Sequence, residues 1–354
     1  MINSQIPYNK LPLIEKRLSE SAIEDFQQMN EAVRALDFLN GFLSGYDDEL
    51  LPEYSSNLLF TELRNSLELE GFPVSLQRIF EAENSENALQ DELLTGIIEY
   101  HSKILQIRQL HLEAIKPSGF RQVLKNAEQF RERREHTIKS YFTNLTLYTA
   151  PVQSSVLQQL RQDLETFISG RNNLSSILSG SIAHYQMRAM APFNHFNGVC
   201  ARSLHLQCLR VYGLETICLP ISSEILKEKE TYQTLMRDVV QSGNLLTWHR
   251  FMTDIIVASA RKLPRQLKAL SKLKKQLVEQ IDKYTDYNMP VSLASLIMRQ
   301  PYVKAIDLVA ELPCHRQTAA TYLKHLVKMG ILIEKSSGRE KLYLNKELMD
   351  ILSN

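Results

Sequence analysis

The sequence predicts a mainly α fold built from more than one unit, and three observations carry that expectation. Apolar residues recur at three- and four-residue spacing through most of the 354 positions. Glycine is scarce, with 12 residues against a usual share of roughly 7%, which leaves few left-handed backbone positions for turn-rich β structure. Strand-like runs are confined to two short hairpin candidates. Single cores rarely grow past about 250 residues, so this length asks for two or three domains. With 44% hydrophobic and 23% charged residues, wholesale disorder is excluded. No run approaches the roughly 20 apolar residues of a membrane span. The opening MINSQIPYNKLPLIEKRL lacks the basic and apolar regions of a secretory signal. Cys200, Cys208, Cys218 and Cys314 fit neither a disulfide framework nor a zinc site. The expectation is a soluble, reduced, cytoplasmic chain with no membrane contact and no bound metal.

The elements follow in order. Ile23, Phe26, Met29, Val33, Leu36, Leu39 and Phe42 keep helical spacing over residues 20–45. Asp47 and Asp48 break it, and a second helix over 58–69 runs until Gly71-Phe72-Pro73 stops it. Further helices are expected at 74–82 and 88–112, before Lys116-Pro117-Ser118-Gly119. Residues 134–148 hold the first hairpin candidate, with HTIK and LTLY as its strands. Helical spacing returns at 155–168, 174–190, 199–212 and 248–260. Leu263, Leu267, Leu270, Leu273, Leu277 and Ile281 then form an apolar stripe among lysines, a linker helix packed on a neighbour. The organisation read this way is a helical region at 1–112, a core at 113–260, a basic linker helix at 261–287 and a small unit at 288–354.

Charge divides the chain. From Arg261 onward there are 17 Lys+Arg against 9 Asp+Glu, while the preceding residues carry an acidic surplus. A basic third on an acidic body points either to an anionic partner, duplex DNA first, or to a solvated lysine face. In that third, a helix at 303–310, a turn at Leu312-Pro313, a helix at 314–329 ending before Gly330, and two strands about Ser336-Ser337-Gly338 follow in order. The run LPCHRQTAATYLKHLVKMGILIEKSSGREKLYLNKEL resembles the winged helix-turn-helix family. That resemblance makes the second helix the recognition helix. Arg316, Gln317, Thr318, Thr321 and Tyr322 would then face a major groove, and Arg339 and Lys341 on the wing would reach phosphates. Ala320, Leu323, Val327 and Leu332 would form the small core. Such domains also serve as protein-binding modules, so the partner is DNA or protein.

The most informative stretch is IAHYQMRAMAPFNHFNGVCARSLHLQCL, residues 182–209. It reads as helix, loop over 191–198, helix; a glycine-ended loop at a helix N-terminus suits an anion. The loop resembles the signature of the Fic family, H-P-F-x-[D/E]-G-N-G-R-x-x-R. Pro192, Phe193, Asn197, Gly198 and Arg202 agree, and Asn194 fills the variable position. Ala191 stands at the family's catalytic histidine, His195 at its magnesium-binding carboxylate, Phe196 at the first glycine and Val199 at the first arginine. His184 agrees with a histidine of the lead-in helix. Upstream, Ser66, Glu70 and Gly71 in NSLELEG match the family's inhibitory helix, whose glutamate pairs with the second arginine, here Arg202. ETYQTLMRDVVQSGNLLTWHRFM resembles the helix after the active loop, with the Gly243–Trp248 spacing.

The resemblance implies a helical bundle with a flap hairpin at 134–149 on which a target protein docks. It also implies AMP transfer from ATP with Mg²⁺ to hydroxyl side chains. The departures remove the chemistry one part at a time. A methyl cannot act as a general base. Imidazole is a poor magnesium ligand. Phenylalanine resists φ > 0, and valine cannot pair with a phosphate. No residue is therefore expected to be catalytic, and the reading is a degenerate regulator acting through its winged helix, with a homodimer open to it. The alternatives are a transferase or AMP-removing hydrolase with another base, and a non-catalytic nucleotide sensor. Glu70 and Arg202 are either an inhibitory lock or a structural ion pair. Tyr232 belongs either to an adenine pocket or to the core.

Overall fold

Helices α8 (Ser176–Met190) and α9 (Asn197–Leu209) form the centre of the structure. The computed structural model describes residues 3–20, 26–46, 51–83, 91–107, 112–118, 127, 129–131, 135–170, 174–212, 214, 217–284, 289–337 and 340–353. Every residue of α8 from Ile177 to Met190 is buried, which matches a sequence with small or apolar residues on all sides and no polar stripe. Ser175 caps its N-terminus by accepting from the Leu178 amide. Gly180 lets α9 come close, because a Cβ there would lie 2.5 Å from the His205 ring.

Around this pair pack α1 (Ile14–Glu20), α2 (Phe26–Ser44), α3 (Leu51–Leu69), α4 (Leu76–Glu83), α5 (Glu92–Leu105), α6 (Leu112–Ile115) and α7 (Ser154–Ser169). Strands β1 (Thr137–Lys139) and β2 (Thr146–Thr149) pair antiparallel, so the hairpin lies where the sequence put it. Phe142 and Leu145 at its tip are exposed. The helix expected over 88–112 is instead α5, closed at Gln106, and the short α6. After α9 come a 3₁₀ turn (Arg210–Tyr212), α10 (Ile221–Lys227) and α11 (Lys229–Ser242).

Helix α12 (Leu246–Tyr284) runs 39 residues. The boundary expected at 260/261 falls inside it, because Ile256, Ala260, Leu263 and Leu267 continue one buried stripe past Pro264. The linker is thus the second half of a helix that spans the body. It packs on α2, on α13 (Pro290–Arg299) and on α16 (Lys346–Ser353). Neither α13 nor α16 was foreseen. Between them lie β3 (Tyr302–Val303), α14 (Ala305–Glu311), α15 (Arg316–Lys328), β4 (Ile333–Ser337) and β5 (Glu340–Leu344), with the sheet in the order β3-β5-β4. Residues 302–303, expected to open a helix, form an edge strand paired with β5. Helices α13 and α16 also rest on α3, so the last unit is docked on the helical body rather than tethered to it.

Candidate functional site

Helix α3 ends in a Schellman turn. Gly71 takes φ +82°, its amide donates to the Glu68 carbonyl at 3.1 Å, and the Phe72 amide donates to Leu67 at 2.9 Å. That geometry explains the glycine after Glu70, because it turns the chain and leaves Glu70 at the helix end facing α9. Glu62, Ser66 and Glu70 fall at four-residue steps on one face of the segment.

Arg202 lies opposite and is 1% exposed. Its Nε donates to Ser66 Oγ at 2.7 Å, and its Nη2 donates to the Ser66 carbonyl at 2.8 Å and to Glu70 Oε1 at 3.1 Å. Its Nη1 donates to the Tyr232 hydroxyl at 3.2 Å. The other Glu70 oxygen accepts from the Gly198 amide at 3.3 Å, in the first turn of α9. A carboxylate therefore occupies the helix N-terminus, where unpaired amides and the helix dipole favour an anion. Burial opposes ionisation most strongly, but Arg202 and then Arg188 overcome it and hold the Glu70 carboxyl below its ordinary value. The sequence brings Ser66, Glu70, Gly198 and Arg202 to one point, as the motif spacing suggested.

The loop itself is well fixed. Ala191 closes α8 with φ +44°, and Phe196 caps α9 with φ +58°. Phenylalanine thus adopts the conformation that its glycine counterpart would take freely, stabilised by burial of its ring to 3% exposure. Asn197 ties the loop back: its Oδ1 accepts from the Phe193 amide at 2.8 Å and its Nδ2 donates to the Phe193 carbonyl at 2.9 Å. Ala191, Pro192, Phe193 and Val199 are buried, while Asn194 and His195 are half-buried.

Arg131 is a site residue that the sequence reading missed. Its Nε donates to the Ala191 carbonyl at 2.9 Å, and its Nη2 donates to Met190 at 2.9 Å and to Pro151 at 2.7 Å. Those are the orphan carbonyls at the end of α8. Its amide also donates to Pro192 at 2.8 Å, and the Phe130 ring stacks on Phe193 at 5.3 Å. Arg131 had no motif to mark it. Its partners are backbone atoms 20 and about 60 residues away in the chain, and backbone carbonyls carry no sequence signal.

Tyr232 is fully buried, stacks on Trp248 at 5.5 Å and bonds His184 Nε2 at 2.7 Å, so it is a core residue and not the wall of an open pocket. His184 Nδ1 meets His205 Nδ1 at 3.3 Å. Burial pushes His205 down to about 3, leaving a neutral ring inside the core. The residues present do not fit Mg²⁺. His195 offers nitrogen where oxygen is needed, and the Glu70 carboxylate is bound to Arg202 and Gly198.

In the last unit Arg316, Gln317 and Thr321 are exposed at the N-terminal end of α15, and Thr318 and Tyr322 are half-buried. The core phase differs by one residue from the expectation: Ala319, Leu323 and Leu326 are buried with Leu332, while Ala320 and Val327 are half-buried. The run AATYLKHLV carries apolar residues in both phases, and spacing alone does not separate them. Gln317, Thr321, Lys324 and Lys328 then share the exposed face. Lys341 pairs with Glu334 across the hairpin. Arg339 lies outside the described residues.

Comparison with known proteins agrees with this geometry at both ends of the chain. Residues 273–348 match the family model for the C-terminal domain of SoFic-like protein adenylyltransferases. The whole fold is similar to the crystal structure of a Fic family protein from Desulfovibrio desulfuricans G20. The match has a TM-score of 0.58 at 15% identity and covers 91% of this chain and 97% of that one. This is a Fic-fold protein. The C-terminal match and the fold likeness together support an adenylyltransferase-like member of the Fic family. Among the described residues of this Fic-fold chain, no helix is long and apolar enough to cross a membrane.

Proposed function

We propose that this Fic-fold protein has lost AMP transfer and works as a regulator whose C-terminal helix-turn-helix unit engages duplex DNA. One observation carries the first half: at the position of the family's base stands Ala191, a methyl group, 0% exposed and sealed under Arg131. Deprotonation of a target hydroxyl has no proton acceptor there. Phe196, Val199 and His195 remove the neighbouring functions of amide cradle, phosphate pairing and metal binding. The second half is supported by the basic C-terminal third and by the exposed polar face of α15. The test is incubation with ATP labelled in its α-phosphate. The expected result is no label on the chain or on proteins of a lysate, for the wild type and for Glu70→Ala alike.

A second reading, transfer with another base, has one observation in its favour. His136 precedes β1 and lies in the electrostatic range of Glu70 and His195. Burial pushes its imidazole down to about 4, so the ring is neutral and able to accept a proton. Label that appears with Glu70→Ala and vanishes with His136→Ala added would select this reading.

A further inference from the structure

Arg188, on the last turn of α8, is 6% exposed. Its guanidinium carbon lies 4.3 Å over the centre of the Tyr232 ring, and its Nη2 donates to Gln233 Oε1 at 2.8 Å. Nε and Nη1 have no hydrogen-bond acceptor among the described residues. Arg202 donates to the hydroxyl of the same tyrosine. Two guanidinium groups thus flank one buried phenol, and both act on the carboxylate of Glu70. Glu62, also on α3, feels Arg202 as well, but its oxygens accept from the Ser222 amide and hydroxyl. His136 is the remaining group that acts on Glu70, and it is neutral.

The charge count at this point is unequal, with two arginines and one engaged carboxylate. A buried positive surplus with unmet donors is costly, and a group bearing two negative charges and several acceptor oxygens would meet it. The backbone is open to such a group: Gly198 carries no side chain, and the space beside it is filled by the Glu70 carboxylate, which a Cβ would approach to 1.9 Å.

We infer that Arg188, Arg202 and the Gly198 amide form a phosphate seat that Glu70 fills in the resting chain, and that a phosphate chain competes with Glu70 for it. The Fic resemblance supplies the opposition of Glu70 and Arg202. It does not supply Arg188, which here takes over the charge that Val199 lacks. The inference rests on reading this loop as a closed phosphate-type site. It is independent of whether AMP is transferred.

The test is equilibrium titration of the full chain with inorganic triphosphate and, separately, with ATP, both in the presence of a chelator. Glu70→Ala should bind triphosphate at least about tenfold more tightly than wild type, since a charge-assisted hydrogen bond is worth about 1.5–3 kcal/mol. Adding Arg188→Met should reverse that gain by about tenfold or more. If the methionine variant does not fold, as judged by circular dichroism, Arg188→Gln keeps donors, removes the charge and should show the same loss. Equal affinity for triphosphate and ATP assigns the seat to a free polyphosphate; tighter ATP assigns it to a nucleotide. Equal binding by wild type and Glu70→Ala would overturn the proposal by placing the anion on the basic C-terminal unit. Indifference to Arg188 in both variants, or no binding by Glu70→Ala, would also overturn it. Because the readout is binding, it fails separately from the labelling test above.

Discussion

The ring of Phe72 lies 5.0 Å from that of Phe196, at 47° between planes. The residue after the Glu70-Gly71 turn therefore packs on the residue that holds the left-handed position of the loop. Phe196 is more than a defect in an anion cradle, because it joins the end of α3 to the start of α9. Phe196→Gly should relieve backbone strain of about 1–2 kcal/mol but lose a buried ring, for a net destabilisation of about 2–4 kcal/mol. Chemical denaturation measures it, and an unchanged midpoint would remove this contact from the account.

The close approach of Glu70 to Gly198 makes a second prediction. Gly198→Ala places its Cβ on the Glu70 carboxylate, displaces it from Arg202, and should cost about 1–3 kcal/mol. With Glu70→Ala already present, the same change should cost less than about 1 kcal/mol. A double-mutant cycle reads the difference, and full additivity would mean that the two residues do not meet.

Glu62 gives a pH signature. Burial pushes its carboxyl up from 4.5 to about 7, against the opposing hydrogen bonds from Ser222 and the charges of Arg202 and Lys262. The folded chain holds this proton where the unfolded chain has released it. The stability from this group is therefore complete below about pH 4.5 and is lost as pH rises through 7. Glu62→Gln should flatten the stability profile between about pH 5 and 8, and exceed wild type at pH 8 by up to about 3 kcal/mol. Parallel profiles for the two proteins would contradict the assignment.

Much of this arrangement was legible in the residue order. The Glu70-Gly71 pair, the Gly198 loop end and Arg202 were found because each rests on local chemistry: a left-handed cap, a helix N-terminus and a charge pair. The hairpin at Thr137–Thr149 carried its own alternation. Arg131, Arg188 and Phe72 were not legible, because each acts through partners far along the chain or through backbone atoms. The boundary at 260/261 failed because a change in composition, from acidic to lysine-rich, is not a change in backbone. Helix α16 was missed because eight residues of KELMDILS give barely two turns of periodicity.

The exposed face of α15 leads to a prediction about nucleic acid. If the full chain binds duplex DNA through Arg316, Gln317, Thr321 and Lys324, its affinity should fall steeply with salt by counterion release. Lys324→Ala should lower the slope of log K against log salt by about one if that lysine meets a phosphate. Arg316→Ala should change sequence preference if that arginine meets a base edge. Lack of duplex affinity at low salt would assign the unit to a protein partner.

The loss of AMP transfer is tested most directly by counting label from α-phosphate-labelled ATP in three proteins side by side. They are the wild type, Glu70→Ala, and a variant that restores Ala191→His, His195→Asp, Phe196→Gly and Val199→Arg together with Glu70→Ala. Absence of a general base alone removes a factor of about 10²–10⁴, and the other losses add to it without needing to multiply. The account predicts no label on the first two and measurable label on the third. Label on the unmodified chain, at a rate matching the restored variant, would contradict it.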